Sequence, residues 1–229
     1  SAQAQEACDA VWDATITTTD QWPLEDEPHA IARMLEALDR TLALYPDGFF
    51  RQMKNTMGEG GVRFMPVGHI ENAVNAIGLT YETYGWQNIY IDVTIDAFDG
   101  TICHEIWHAI EGVLLTRNWD AINQEEWAAC NPAGFSYNED AETPDSNPER
   151  WTFFYEFSAQ DVYFVDAYSR TNAKEDRARI MEYIMATEDV AGALVQSPAI
   201  AQKLQIMCRA IRENFDTSSW GELRWERVL

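Results

Sequence analysis

The chain carries HEIWH at His104 to His108, inside the apolar run ICHEIWHAIEGVLL (102–115). On an α-helix, residues four apart point the same way and lie about 6 Å apart along the axis, so His104 and His108 can offer their imidazoles to one zinc ion. Glu105 is turned about 100° from His104, which places it badly as a third ligand and well to face a water on the open side of the metal. A zinc ion lowers the pKa of such a water towards ~7, a neighbouring glutamate takes the proton, and the oxygen attacks a polarised carbonyl. Three fixed letters in five also coincide by chance. Here, however, the helix is apolar, and a buried imidazole or carboxylate left without a partner costs about 1–3 kcal/mol. A metal removes that cost, so zinc is the expected cofactor.

A catalytic zinc needs a third protein ligand. The other two histidines, His29 and His69, both lie upstream. The continuation HExxHxxGxxH requires Gly and His where this sequence has Glu111 and Leu114, which excludes that arrangement. A carboxylate on a later helix is the remaining common donor. Among many acids, Glu175 stands out for its setting, FVDAYSRTNAKEDRARIMEY (164–183).

With HEIWH, that segment resembles the glutamate-zincin metallopeptidases, and more closely the secreted bacterial zinc-binding metallopeptidases and lethal-factor-like peptidases. In these, HExxH is followed some tens of residues later by F-x-x-x-Y and N-x-x-E-D. Phe164, Tyr168, Asn172, Glu175 and Asp176 stand here in that order. LYPDGFFRQMK (44–54), NIYIDV (88–93) and NPAGFSY (131–137) extend the resemblance over about residues 40–185. It implies a zincin-like fold, a zinc site of His104, His108 and Glu175, Glu105 as general base, and Tyr168 supporting the oxyanion as a polypeptide is hydrolysed. Arg177 and Arg179 depart from the pattern, since related segments often carry apolar or acidic residues there.

Each residue also has a plainer reading. Asn172-x-x-Glu175 fits a capping box, and Tyr168 fits a core aromatic with a bonded hydroxyl. Asp176 fits either a favourable first-turn charge or an outer partner to a ligating histidine. Trp107, Trp151, Phe153, Phe154 and Tyr155 read as core, and His69, beside Gly68 at a strand end, reads as a surface or hydrogen-bonded histidine, not a ligand. The competing function is a catalytically inactive zinc-containing binding module of the same fold. Glu105 argues against it, because a structural site has no use for a base.

The elements that must hold these residues follow from periodicity. Ile31, Met34, Leu35, Leu38 and Leu42 fall at helical spacing, and Pro46 with Gly48 ends that helix. VRFMPV (62–67) and NIYIDV (88–93) read as strands, the second alternating Ile89, Ile91 and Val93 with Asn88, Tyr90 and Asp92. A sheet edge is where an extended peptide would add, and NIYIDV is the expected place. Asp99 is the expected N-cap of a helix of about four turns that carries Ile102, Ile106, Ala109, Ile110, Val113 and Leu114 together with HEIWH. Later helices are expected from Asn172 and from Ser197, with Pro198 at the first helical position. The acidic, proline-punctuated stretch at 137–149 reads as a solvated loop, without the spacing of a calcium-binding loop. The class is therefore α+β: a small mixed sheet, an active-site helix and a C-terminal helical subdomain. One catalytic domain is expected, with an N-terminal lobe to about residue 136 and a helical lobe from about residue 150.

Charge narrows the partners. Thirty-eight acidic against 16 basic residues give a net −22 over 229 residues, which opposes attraction to nucleic acid or to an anionic membrane. No run reaches the roughly 18–20 apolar residues that span a bilayer. Cys8, Cys103, Cys130 and Cys208 admit either two disulfides or four buried thiols. The start, SAQAQEACDA, fits either a cut end or a mature end from which a secretion signal has been removed. The resemblance to secreted metallopeptidases implies an extracellular or cell-envelope protein, and a monomer is expected.

Overall fold

The β-branched and aromatic runs at 62–67 and 88–93 do form strands, and the sheet built on them positions the HEIWH helix. The computed structural model describes residues 14–17, 19, 22, 28–71, 76–138, 152–153 and 162–229. The chain falls into two units, Ser1–Arg117 and Asn118–Leu229. The first runs β1 (Ala14–Ile16), α1 (Pro28–Leu42), β2 (Gly61–Val67), β3 (Gly78–Thr83), β4 (Trp86–Asp92) and α2 (Phe98–Arg117). Its four strands lie in the order β1-β2-β4-β3. β1, β2 and β4 are parallel, and β3 runs antiparallel to β4.

This order corrects one expectation. NIYIDV is not an edge: β4 pairs with β2 on one side and with β3 on the other. Its polar residues Asn88 and Asp92 are buried and hydrogen-bonded. Asn88 Nδ2 donates to the carbonyls of Tyr81 and Trp86 at 3.2 and 3.1 Å. Asp92 accepts from the Thr94 amide, the Thr94 hydroxyl and the Ile70 amide at 2.8, 2.6 and 3.2 Å, with His69 Nδ1 at 3.1 Å. His69 is thus the hydrogen-bonded histidine expected of it. Among the described residues the sheet's edges are β1 and β3, and β3 is the one that lies beside Glu105. It turns into β4 through Tyr84 and Gly85, whose φ values of 51° and 82° define the two-residue turn that matches strand twist.

One face of the sheet packs Met65, Val67 and Ile70 with Trp22, Leu79 and Tyr90. The other lies on α2: Gly78 and Thr80 approach Glu105 and Thr101, and Gln87 approaches Gly112. Covered by this sheet and by α1, α2 is buried almost all round, which is why its sequence reads as apolar with little amphipathic stripe. It begins at Phe98, so Asp99 lies inside the first turn and is not the N-cap. The buried Phe98 ring anchors the start by packing, and the Asp99 carboxylate instead takes Arg40 of α1 at 3.0 Å. In α1, Met34, Leu38 and Leu42 face inward as their spacing predicts.

The second unit is mainly helical: α3 (Gln124–Ala129), the short parallel pair β5 (Thr152–Phe153) and β6 (Val162–Phe164), a 3-10 turn at Tyr168–Arg170, α4 (Ala173–Ala186), α5 (Glu188–Leu194) and α6 (Pro198–Asn214). Asn172 caps α4, accepting from the amides of Lys174 and Glu175, each at 3.0 Å. Ser197 caps α6, accepting from the Ile200 amide at 3.2 Å, with Pro198 at the first helical position. Both starts are where the sequence puts them. Ile180, Met181 and Ile184 of α4 and Ile200, Leu204, Met207 and Ile211 of α6 are buried, as are Trp127, Phe164 and Trp225. The architecture is thus α+β, with a small four-stranded mixed sheet and several helices. Residues 139–149, Cys8, Trp151, Phe154, Tyr155 and the Phe153 side chain lie outside the described residues.

Candidate metal centre

Helical geometry brings the two histidines of α2 together as their spacing requires. His104 Nε2 and His108 Nε2 are 3.1 Å apart, with ring planes at 77°. Two nitrogens bound at about 2.0–2.1 Å to one tetrahedral zinc ion would be about 3.3 Å apart. The convergent Nε2 atoms therefore fit a shared cation. Neutral imidazole and carboxylate are the donor types zinc takes, and His104 and His108 offer two imidazoles from one helix.

Glu105 sits on a different side of the helix and meets the sheet. Its residue is 5% exposed, and the Thr80 hydroxyl donates to its Oε2 at 2.7 Å. The same hydroxyl lies 3.1 Å from the Glu105 carbonyl oxygen. Gly78 completes this wall: a Cβ there would come within 2.7 Å of Glu105 Cγ and Oε1 and within 2.8 Å of Thr101 Cγ2. No side chain other than hydrogen fits beside the carboxylate. Thr80 and Gly78 were missed in the sequence because GLTYET alternates weakly; the signal that could have found them is the YG pair, which marks the turn into NIYIDV. Trp107 is fully buried core, as expected.

In the second unit, Glu175 is half-buried in the first turn of α4. Its amide goes to Asn172, so half of the capping reading holds. Tyr168 is half-buried and opens the 3-10 turn, where its carbonyl accepts the Thr171 hydroxyl at 2.8 Å. That turn is tied down from below. Asp166 accepts from the Ser169 amide at 3.0 Å and also binds Arg179, which in addition reaches Glu182 at 2.5 Å. Burial disfavours the Arg179 charge, but Glu182 and Asp166 outweigh it and hold its pKa above the ordinary arginine value. Arg179, one of the two departures from the family pattern, is therefore the clamp between the Phe164–Tyr168 segment and α4. Arg177 is the other, and its guanidinium lies over the Trp127 ring at 5.0 Å.

Asp176 is not a solvated first-turn charge. It is fully buried, and its Oδ2 accepts from Lys203 Nζ of α6 and from the Tyr137 hydroxyl, each at 2.7 Å. Lys203 also donates to the Tyr163 carbonyl at 2.8 Å and lies over the Phe164 ring at 4.3 Å. Trp127 Nε1 donates to the Tyr137 oxygen at 2.8 Å. Burial pushes the Asp176 carboxyl up against the pull of Lys203, and pushes the Lys203 ammonium down against the pull of Asp176. The pair is neutral as a whole whichever partner holds the proton. Among the described residues, Cys103, Cys130 and Cys208 stand as buried thiols in no disulfide. Burial pushes the Cys208 thiol up to about 12, which makes it unreactive.

No protein-family model matches this sequence, and no curated protein sequence does. Among solved structures, the chain is similar to the crystal structure of a "putative zinc-binding metallo-peptidase" from Bacteroides caccae, with a TM-score of 0.52 over 99% of this chain and 88% of that one. Sequence identity is 12%, so the likeness is one of fold. The chain has a metallopeptidase-like fold.

Proposed function

We propose that this chain is a zinc metallopeptidase that hydrolyses peptide bonds, with His104, His108 and Glu175 as ligands, Glu105 as general base and Tyr168 as donor to the oxyanion. The observation that carries the reading is the pair of convergent imidazole nitrogens, 3.1 Å apart, one residue from a buried carboxylate held against an edge strand. Two convergent imidazoles on one helix support zinc, and a fold similar to that of a "putative zinc-binding metallo-peptidase" supports the reaction class. When bound, zinc supplies Lewis acidity, acidifying a water and polarising the scissile carbonyl.

The rest of the work falls to side chains. Glu105 takes the proton of the attacking water and can pass it to the leaving amine. The Tyr168 phenol donates to the carbonyl oxygen as charge grows there, an interaction stronger in the transition state than in the ground state. A polypeptide would add to β3, the sheet's edge beside Glu105, as an extra strand. The two-residue turn makes Thr83 and Trp86 the closing hydrogen-bonded pair, so alternation along the ladder turns the backbone N–H and C=O of Thr80 and Glu82 to the free side. Among the described residues, no helix is long and apolar enough to cross a membrane.

The test pairs metal analysis with one substitution. Purified protein should carry about one zinc per chain, removable by a chelator, and cleave an unfolded polypeptide. Glu105→Gln should keep zinc and fold while turnover falls by at least about 10³-fold, since an amide accepts no proton. Absence of zinc after zinc addition, or unchanged turnover in Glu105→Gln, overturns the reading.

A further inference from the structure

We infer that Thr80 is a positioning residue for the Glu105 carboxylate, an inference that rests on Glu105 as the base. The strand that would receive substrate along its backbone reaches across the sheet face with one hydroxyl, 2.7 Å from Glu105 Oε2. That hydroxyl has one proton, and the shorter contact takes it; the 3.1 Å contact to the Glu105 carbonyl is secondary. Oε2 is thereby engaged, and Oε1 is the oxygen left for the water. Gly78, two residues earlier on the same face of β3, fits the same role. Its φ is ordinary, so the glycine there serves space and not backbone conformation, and the space is filled by Glu105 Cγ and Oε1. A carboxylate on a helix has three rotatable bonds, and here a hydroxyl and an absent methyl group fix two sides of it.

The consequence is a coupling between substrate and base. Thr80 offers its backbone to an added strand and its side chain to Glu105, so a peptide pairing with β3 docks on the residue that aims the base. Thr80 keeps its own proton throughout. The O–H bond of the water breaks, its proton goes to Glu105 Oε1, the oxygen's electron pair forms the bond to the carbonyl carbon, and the C=O π pair moves onto the carbonyl oxygen.

Three variants of the zinc-loaded protein test it, together with crystals of the metal-free protein. Thr80→Val should lower kcat about tenfold, the scale of one hydrogen bond to a charged group, with KM and zinc content nearly unchanged. Thr80→Ser should restore kcat to within about twofold of the parent. Gly78→Ala should lower kcat at least as much as Thr80→Val by displacing the carboxylate. In metal-free Thr80→Val, the Glu105 carboxylate should leave its place against β3. Parental kcat in Thr80→Val, or equal losses in Thr80→Ser and Thr80→Val, overturns the inference while leaving the peptidase reading intact if Glu105→Gln is inactive. If Glu105→Gln is as active as the parent, the peptidase reading fails separately, and an unmoved Glu105 in the metal-free Thr80→Val crystal then overturns the positioning as well.

Discussion

Glu105 in the first unit and Asp176 in the second are both buried carboxylates on helices, and they are held in opposite ways. The Glu105 carboxylate meets a hydroxyl, that of Thr80, and the bare backbone of Gly78. Asp176 meets an ammonium and a phenol, Lys203 and Tyr137, and the phenol is itself held by Trp127. A neutral donor orients a carboxylate without countering its charge. A carboxylate locked to a cation in the core is structural. The comparison teaches that burial alone does not mark a catalytic acid: the charge of the partner decides what the group can still do.

The largest effect should come from breaking the cationic lock. Lys203→Met removes the ammonium and leaves Asp176 buried with the Tyr137 hydroxyl alone. Losing one partner of a buried pair costs about 3–5 kcal/mol, so urea midpoints should fall steeply. Replacing both partners by apolar residues, as in Lys203→Met with Asp176→Leu, should recover much of that loss. Equal destabilisation in the single and double variants would show that packing, not charge, is what Lys203 contributes. The corresponding change at Glu105, Thr80→Val, removes a neutral donor and should lower the same midpoint less, at a cost of about 1–3 kcal/mol.

This asymmetry also explains what could be read in the sequence. The α2 site was legible because its residues are local: four-residue spacing puts His104 and His108 on one side, and an apolar helix makes its polar residues conspicuous. The starts of α4 and α6 were legible for the same reason, since Asn172 and Ser197 cap amides two or three residues away. Thr80 was not, because its meeting with Glu105 depends on β3 pairing with β4, and a strand's place in a sheet is not written in its own alternation. β4 was expected at an edge for lying just before α2, and its place between β2 and β3 is likewise set by pairing that its own sequence does not show. Asp176 misled in a similar way. An acid in the first turn of a helix usually faces solvent and the helix dipole, and nothing near residue 176 announces a lysine at 203.

Two tyrosines of the second unit sharpen the contrast at a smaller scale. Tyr137→Phe and Tyr168→Phe each remove only a hydroxyl. Tyr137 donates to Asp176, so its loss should cost about 1–2 kcal/mol of stability and leave kcat near that of the parent. Tyr168→Phe should do the reverse, lowering kcat by about 10²-fold with stability and zinc content kept. If both variants lose stability and neither loses turnover, Tyr168 is another core aromatic and the oxyanion donor lies elsewhere.

The smallest effect belongs to a third carboxylate, which completes the series by sitting near the surface. Glu226 accepts from Arg212 Nε at 2.7 Å and from the Leu223 amide at 2.9 Å. Burial pushes its pKa up, but the Arg212 and Leu223 hydrogen bonds and the Arg212 charge outweigh that and bring it below the ordinary glutamate value. A carboxylate whose folded pKa is depressed adds stability that is complete above its unfolded pKa, about 4.3. That contribution fades as the pH falls through the folded value, because the proton binds the unfolded chain first. Both side chains are partly exposed, so solvent and salt screen the pair and its worth stays under about 1 kcal/mol. Urea unfolding of the parent and Glu226→Gln should therefore differ slightly at pH 6, and the gap should narrow below about pH 4 and in high salt. A gap that holds constant from pH 6 to pH 3 would mean that Glu226 acts through its hydrogen bonds and not its charge, and would move it from the ionic to the neutral side of the comparison, beside Glu105.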